Sequence, residues 1–213
     1  MTTKKHSKTA SAQTRDREAT RRLLIRAVGV LLGEKGFTGL GVNAVARQAG
    51  VDKVLIYRYF GGLPGLIQAF GQAEDFWPSI EELAGGDIDA FRKMPLEEKL
   101  TALGCNFLRG IRQRPLTQEV MAWEMVQRND MTEELEIIRE TRMLRFAELF
   151  LPAEGARADL LAIMAIFGAG ISYLVCRSRK IRWYNGIDLE SETGWQRVET
   201  AVGQMVKGIM AII

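Results

Sequence analysis

Residues 41–60, GVNAVARQAGVDKVLIYRYF, combine cationic, hydroxyl and apolar side chains at helical spacing. Lys53 and Arg58 carry cations that can pair with phosphate oxygens or with the edges of guanine. Val54 and Leu55 match only the methyl group of thymine. This chemistry predicts contact with a nucleic acid, and the candidate DNA-binding residues are Asn43, Arg47, Lys53, Val54, Leu55, Tyr57, Arg58 and Tyr59.

Two short helices separated by a glycine account for the spacing in this segment. Gly50 tolerates positive φ, which suits a tight turn, and Asp52 is a good N-cap for the helix that follows. Ile56 and Phe60 of that helix then face inward. The apolar face of the preceding helix consists of Val42, Val45, Ala46 and Ala49. The residues left on the outer face of the following helix are Lys53, Val54, Tyr57 and Arg58. These proportions are typical of a helix-turn-helix.

The distribution of charge along the chain agrees with this interpretation. Residues 1–60 contain 12 Lys and Arg against 4 Asp and Glu, a net charge of +8, whereas the remaining residues contain 17 against 22, a net charge of −5. A basic segment joined to a mildly acidic one indicates that the first part meets a polyanion. A solvated basic surface is the alternative explanation of the same charges.

The first 15 residues are polar and basic, with no apolar periodicity. We expect residues 1–15 to form a flexible basic tail. The cations of this segment are Lys4, Lys5 and Lys8, which either follow the DNA backbone or minor groove or only keep the tail soluble.

The remainder of the chain predicts an all-α protein. A helix from about Asp16 to Gly36 precedes the two short helices, and Pro64 begins a fourth helix that runs towards Trp77 and Pro78. Glycine, proline and asparagine turns separate the later helices. We therefore predict a helix-turn-helix DNA-binding domain over residues 16–62 and a larger helical domain for ligand binding and dimerisation over residues 63–213.

The last two helices carry patterns suited to contact with a second copy of the chain. Residues 160–176 are apolar nearly all round, which requires partners on all sides. A core within one chain and a membrane span are the alternatives, and we predict no membrane partner because the stretch is short for a bilayer. The final helix has an apolar seam at intervals of three and four. The predicted dimer interface consists of Phe167, Gly170, Leu174, Trp195, Val198, Val202, Met205 and Ile209.

Aromatic and methionine side chains are common in the middle of the chain. Such residues line adaptable apolar cavities, although they serve an ordinary core equally well. We predict an unknown small apolar ligand, with a pocket formed by Trp77, Phe107, Met121, Trp123, Met125, Phe146, Phe167 and Tyr173.

The sequence offers no chemistry for an enzyme, a metal site or a cofactor. Its single histidine, His6, lies in the predicted tail, and Cys105 and Cys176 lack the spacing of a zinc site, so we predict free thiols. No nucleophile with a base and no phosphate-binding glycine loop is present. The polar N-terminal residues predict neither a secretory signal nor an anchor, and we expect a cytoplasmic protein.

Residues from about 19 to 70 resemble the DNA-binding domain of the tetracycline-repressor (TetR) family. The matching residues are Glu34, Lys35, Gly36 and Phe37, then Val45, Ala46, Ala49, Gly50 and Val51, then Tyr57, Phe60, Gly61 and Leu66. The resemblance implies a homodimer whose third helices enter the major groove of a palindromic DNA operator, with Tyr57 on a phosphate. It also implies a ligand pocket in the C-terminal domain whose occupation moves the DNA-binding domains apart, and repression as the usual outcome.

This sequence departs from the family pattern at three positions that contact DNA. Gly41 follows Leu40 where the family usually has Ser or Thr before the second helix, and Leu63 replaces a lysine at the start of the fourth. Leu55 replaces a small polar residue. These departures leave a second hypothesis, a protein of the same fold that senses a ligand or binds a protein partner with weakened or lost specific DNA binding.

Overall fold

The computed structural model of the protein describes residues 5–73, 76–152 and 159–211. Within these ranges the chain forms eleven α-helices, one 3-10 turn and one short β-hairpin, so the predicted all-α class is confirmed. The first four helices are α1 (Lys5–Lys35), α2 (Val42–Ala49), α3 (Val54–Phe60) and α4 (Leu63–Gly71). The others are α5 (Ile80–Leu83), α6 (Ile88–Lys93), α7 (Leu96–Arg112), α8 (Pro115–Glu124), α9 (Asp130–Phe150), α10 (Leu160–Ser178) and α11 (Glu192–Met210).

The N-terminal helices α1, α2 and α3 form a small unit that we call the head. Leu24, Val28 and Leu32 of α1 are fully buried and pack with Val45 of α2 and Ile56 of α3. This spacing of three and four residues matches the apolar face predicted for the first helix. Helix α1 ends at Lys35, before Gly36, as the sequence predicts.

Helix α1 begins much earlier than the predicted first helix. The backbone is helical from Lys5, whereas the sequence predicts a flexible basic tail over residues 1–15. The segment lacks an apolar face, but it is free of Gly and Pro and continues an existing helix. Extension of a formed helix needs no new nucleus. Lys4 lies outside the described residues, as do the side chains of Lys5 and Lys8.

Helices α5–α11 form the second unit, which we call the body, and α4 joins it to the head. Helix α7 packs against α8, α10 and α11, and α4 packs against α1, α3 and α9. The prediction that the fourth helix runs towards Trp77 is wrong, because α4 ends at Gly71. Gly71 lies directly on α9, where an added Cβ would come 2.7 Å from Leu135 and 2.6 Å from Ile138.

A two-stranded hairpin interrupts the helices between α10 and α11. Strands β1 (Trp183–Tyr184) and β2 (Ile187–Asp188) are antiparallel, and Tyr184 pairs with Ile187. Asn185 and Gly186 form the predicted turn, with φ of 48° and 75° respectively. Positive φ at both positions is typical of a tight hairpin turn. The sequence did not predict the strands, because two residues are too few to show alternation.

Candidate DNA interface and ligand cavity

The turn between α2 and α3 fixes the direction of the third helix. Gly50 adopts the left-handed conformation with φ of 67°, and the Val51 amide donates to the carbonyl of Ala46 at 3.0 Å. Asp52 accepts a hydrogen bond from the Val54 amide through Oδ1 at 2.8 Å. Its carboxylate therefore satisfies one of the free amides at the start of α3, although the N-cap position itself is Lys53 and not Asp52 as predicted.

The outer face of α3 presents cationic and apolar side chains to solvent. Val54 is 60% exposed and Tyr57 is 56% exposed, and Lys53 and Arg58 are exposed beside them. These four are the residues whose exposure the helical spacing predicts. A short helix with an exposed valine and tyrosine between cations has the dimensions and chemistry to enter a major groove.

Helix α2 adds polar side chains near this face. Asn43 and Arg47 are both exposed. Among the described residues, Arg47, Lys53 and Arg58 form no ion pair, so their charge is available to a polyanion.

Two of the candidate DNA-contacting residues are directed away from the outer face. Leu55 and Tyr59 are half-buried and pack against the core of the head. On a helix they lie one residue beyond Val54 and Arg58, about 100° around the axis. Their burial argues against base contact by either side chain.

Two arginines of α1 hold the end of α3, and the sequence analysis did not identify them. Arg21 donates through Nη1 to the carbonyl of Tyr59 at 2.8 Å, and its guanidinium lies 4.4 Å from the centre of the Phe60 ring. The Arg17 guanidinium lies 5.5 Å from the centre of the Tyr59 ring. A cation near a carbonyl at a helix C-terminus stabilises that helix. The spacing of four between the two arginines is the only sequence signal, and it names no partner.

The structure places the departures from the family pattern at helix starts. Gly41 is the N-cap of α2, and no side chain caps this helix. Leu63 is the first residue of α4 and is half-buried against the core, so it offers no cation. Position 65 near the start of α4 requires a glycine, because a Cβ there would overlap the carbonyl oxygen of Phe60.

An apolar cavity of about 310 Å³ lies between α7, α9 and α10. Of the predicted pocket residues, Trp77, Phe107 and Phe167 line it, together with Leu103, Met164 and other apolar side chains. Trp77 and Phe107 lie in contact, with ring centres 5.5 Å apart. The volume is at the lower end of the range for small-molecule sites.

The other five predicted pocket residues do not line this cavity. Met121 and Phe146 are buried in the core, the latter against Phe150 with ring centres 4.8 Å apart. Met125 is exposed, and Tyr173 is exposed with its ring against Tyr184. Trp123 covers Gly36 and donates to Glu119 at 3.0 Å. Residue type alone does not distinguish a cavity wall from a core or a surface.

A paired glutamate and arginine stand at one side of the cavity. Arg139 lines it and donates to Glu124 at 2.7 Å, with a second contact between their other terminal atoms at 2.7 Å. The Arg139 guanidinium also lies 5.5 Å from the centre of the Trp77 ring. Burial raises the pKa of Glu124, and the hydrogen bond from Arg139 offsets this only in part. No sequence signal joins residues fifteen apart on different helices.

The seam of the final helix contacts the body of the same chain. Trp195 and Val202 are buried, and α11 packs against α7, so assigning these two residues to a dimer interface is wrong. Val198 and Ile209 are half-buried, and Met205 is 50% exposed. Apolar residues at intervals of three and four indicate an apolar helix face, but they do not indicate which helix packs against that face.

Helix α10 has one apolar face without a partner in the described chain. Phe167 lines the cavity and Leu174 packs on the core, so both are directed inward, while Gly170 is exposed. Ile166 is 75% exposed at the middle of the face. The exposed residues of this face are Leu161, Ala162, Ala165, Ile166, Ala169, Gly170 and Tyr173. By length and composition α10 is the one helix within the described ranges that is able to cross a membrane.

Comparisons with known proteins agree with this geometry. Residues 18–70 match the family model described as bacterial regulatory proteins, tetR family. A TetR-like transcriptional regulator from Rhodococcus sp. RHA1 has a TM-score of 0.58 at 19% identity, covering 90% of this chain and 96% of that one. The fatty acid degradation regulator FadR from Bacillus halodurans has a TM-score of 0.58 at 17% identity, covering 87% and 96%. No curated protein matches the chain.

Residues 18–70, from within α1 to α4, match the tetR family of bacterial regulatory proteins, and the fold of the chain as a whole is similar to that of the Rhodococcus regulator. The resemblance stated from the sequence is confirmed. The fold of this chain and its helix-turn-helix are those of a DNA-binding transcriptional regulator.

Proposed function

We propose that this protein is a ligand-responsive repressor that binds a palindromic operator as a homodimer. The observation that carries the proposal is the outer face of α3, where Lys53 and Arg58 flank the exposed side chains of Val54 and Tyr57. No residue of the described chain pairs with these cations. We assign Arg58 and Lys53 to phosphate or guanine contacts and Val54 to a thymine methyl.

The partner in the dimer is a second copy that covers the exposed face of α10. A row of exposed apolar and small side chains on one helix buries itself when two copies meet about a two-fold axis. Ala162, Ala169 and Gly170 permit close approach of the two helices beside Ile166. Burial in such an interface explains a helix with the composition of a membrane span without requiring a bilayer. A two-fold dimer also matches a two-fold operator.

The ligand is a small apolar molecule bound in the cavity between α7, α9 and α10. Helix α9 connects this cavity to the head, because α4 packs along it. Gly71 lies against Leu135 and Ile138 without space for a Cβ, so displacement of α9 is transmitted to α4. A ligand that moves α9 changes the distance between the two heads and therefore the affinity for the operator.

Fluorescence anisotropy with DNA from just upstream of the protein's own gene tests the proposal. We expect saturable binding that prefers this DNA to a scrambled duplex and weakens as salt is raised. Tyr57→Phe and Arg58→Ala should weaken binding while dimer content and helix content stay unchanged. Parent-like binding by both variants contradicts the placement of the recognition helix.

A second candidate function is supported by Gly41 and Leu63. They leave α2 without a hydroxyl cap and α4 without a lysine, so two phosphate anchors of the family are missing. A protein of the same fold that senses a ligand or binds a protein partner, without specific DNA binding, accounts for these residues. Equal and weak binding of both duplexes, followed by the same result with genomic fragments, favours this candidate.

A further inference from the structure

A groove distinct from the ligand cavity lies where the head meets the body. It runs between α1 and α8, with the end of α4 at its base, and encloses about 870 Å³ in an open cleft. Its walls are mostly apolar, including Ile25 and Val30 of α1, Phe70 of α4 and Leu116 of α8. Val30 is 36% exposed, so apolar surface in this groove is open to solvent.

One end of the groove carries two arginines without an acidic partner. Arg22 and Arg26 are four residues apart on α1, so they lie on the same face of the helix, and both are exposed. Neither forms an ion pair with any residue that the structure describes. Arg179, the third arginine in the wall, is occupied by its ion pair with Glu119 and by the carbonyl of Pro115.

The two unpaired arginines are directed away from the candidate DNA interface. Arg17 and Arg21 face the end of α3, and Arg22 and Arg26 lie about 100° or more from Arg21 around the α1 axis. Their position in the wall between α1 and α8 thus separates them from the recognition helix. Glu34, the remaining charged residue of α1 in the wall, lies two turns beyond Arg26 at the opposite end.

We propose that this groove binds a single-chain anionic amphiphile. The acidic head group lies between Arg22 and Arg26, because guanidinium groups form strong charge-assisted hydrogen bonds with a carboxylate. The alkyl chain lies along α1 past the exposed residues Val30 and Gly33, over the apolar floor. Arg26 and Gly33 are seven residues apart on the helix, which gives a channel of about 10 Å for the chain. Each buried methylene strengthens binding through the hydrophobic effect.

Occupation of the groove acts on the angle between head and body. Beside the groove α1 and α8 are in direct contact, since a Cβ at Gly29 would come 2.8 Å from Cδ2 of Leu116. Because the two helices are closely packed, a molecule bound between them requires one helix to move relative to the other. An effect of the amphiphile on operator affinity rests on the proposed function, whereas binding itself does not.

Titration calorimetry of the full-length protein with decanoate tests the site without using DNA. We expect saturable binding of decanoate and none of decylammonium, which has the same chain length and the opposite charge. Arg22→Gln combined with Arg26→Gln should weaken decanoate binding by about tenfold. The matched control is Arg128→Gln combined with Arg145→Gln, which removes two exposed cations outside the groove and should leave the affinity unchanged.

Two glycine variants locate the bound chain. Gly33 lines the groove, and a Cβ there would make only an ordinary contact, 3.7 Å from Leu116, so the backbone accepts a side chain at this position. Gly168 lines the ligand cavity, and a Cβ there meets nothing within 4 Å, so Gly168→Leu is the matched variant for that cavity. We expect Gly33→Leu to abolish decanoate binding and Gly168→Leu to leave it intact.

Three results would overturn this inference: no binding of decanoate by the parent protein, equal binding of decanoate and decylammonium, or loss of binding in Gly168→Leu with retention in Gly33→Leu. The last result assigns the amphiphile to the cavity. Because every arm measures binding in the absence of DNA, the inference can fail while the proposed function holds, and the reverse also applies.

Discussion

Replacement of Arg58 by glutamine should reduce the salt dependence of operator binding by a calculable amount. Arg58 is exposed on the outer face of α3 and has no acidic partner in the described chain. Glutamine keeps most of the length of the side chain and removes its charge. In a homodimer the substitution removes one cation from each head, so two phosphate contacts are lost per operator.

The expected change in the salt dependence of operator affinity follows from the number of cations on the exposed faces of α2 and α3. Arg47, Lys53 and Arg58 in both heads provide about six contacts, which gives a slope of log affinity against log salt of about −5. Without Arg58 the slope becomes about −3.5. A fourfold rise in salt should therefore weaken parent binding by about 10³ and variant binding by about 10².

Anisotropy titrations over a series of potassium chloride concentrations measure both slopes. Arg145→Gln is the matched control, because Arg145 lies on α9 and pairs with Glu148 at 3.0 Å, away from the head. The control removes the same charge from the whole protein and should retain the parent slope. If Arg58→Gln also retains the parent slope, Arg58 contacts no phosphate and the assignment of the outer face of α3 is refuted.

Three further substitutions test other parts of the account. Gly41→Ser should raise operator affinity a few-fold and the free energy of unfolding by a few tenths of a kcal/mol. The reason is that the N-cap site has room for a side chain and an extended backbone with φ of −168°. An equal gain with Gly41→Ala contradicts a role for the hydroxyl. Gly36→Ala should lower the free energy of unfolding by about 3 kcal/mol in urea titrations. The backbone φ at this position is +62°, and the new Cβ would lie 2.5 Å from the Trp123 ring. A loss below about 1 kcal/mol is inconsistent with this packing. Ile166→Glu should convert dimers to monomers in sedimentation velocity, whereas Ile137→Glu, at a 54% exposed position of α9, should not; a dimer that survives the first substitution places the interface elsewhere.

The helix-turn-helix was predictable because short-range rules fix it. Spacing of three and four places Val45 and Ile56 inside the head, and a glycine at position 50 permits the left-handed turn. The same spacing leaves Lys53 and Tyr57 outside. None of these inferences requires knowledge of which distant segment packs against the unit.

The contacts of Arg17 and Arg21 with the end of α3, and the cavity, were less predictable because residues distant in sequence form them. Arg21 reaches Tyr59 across 38 positions, and Arg139 joins Glu124 between two helices. Composition predicted aromatic cavity walls, but Phe146 is in the core because α6 brings Phe91 to it, with ring centres 5.5 Å apart.

Helix ends and apolar seams show the same limit. Helix α1 extends to Lys5 although its first turns have no apolar face, because helix propagation needs none. The periodicity of Trp195 and Val202 was correctly identified, yet the partner is α7 of the same chain. Conversely, the sequence of α10 is apolar nearly all round and does not distinguish its faces, whereas the packing of the body leaves the face around Ile166 exposed.

Selection of duplexes from a random pool with the full-length protein tests whether α3 recognises a specific DNA sequence. We expect enrichment of one inverted repeat whose half-sites lie about one helical turn or slightly more apart, and loss of the enrichment when α3 carries Tyr57→Phe and Arg58→Ala. A pool that remains unenriched after repeated rounds, while the protein stays folded and dimeric, would contradict sequence-specific recognition by α3.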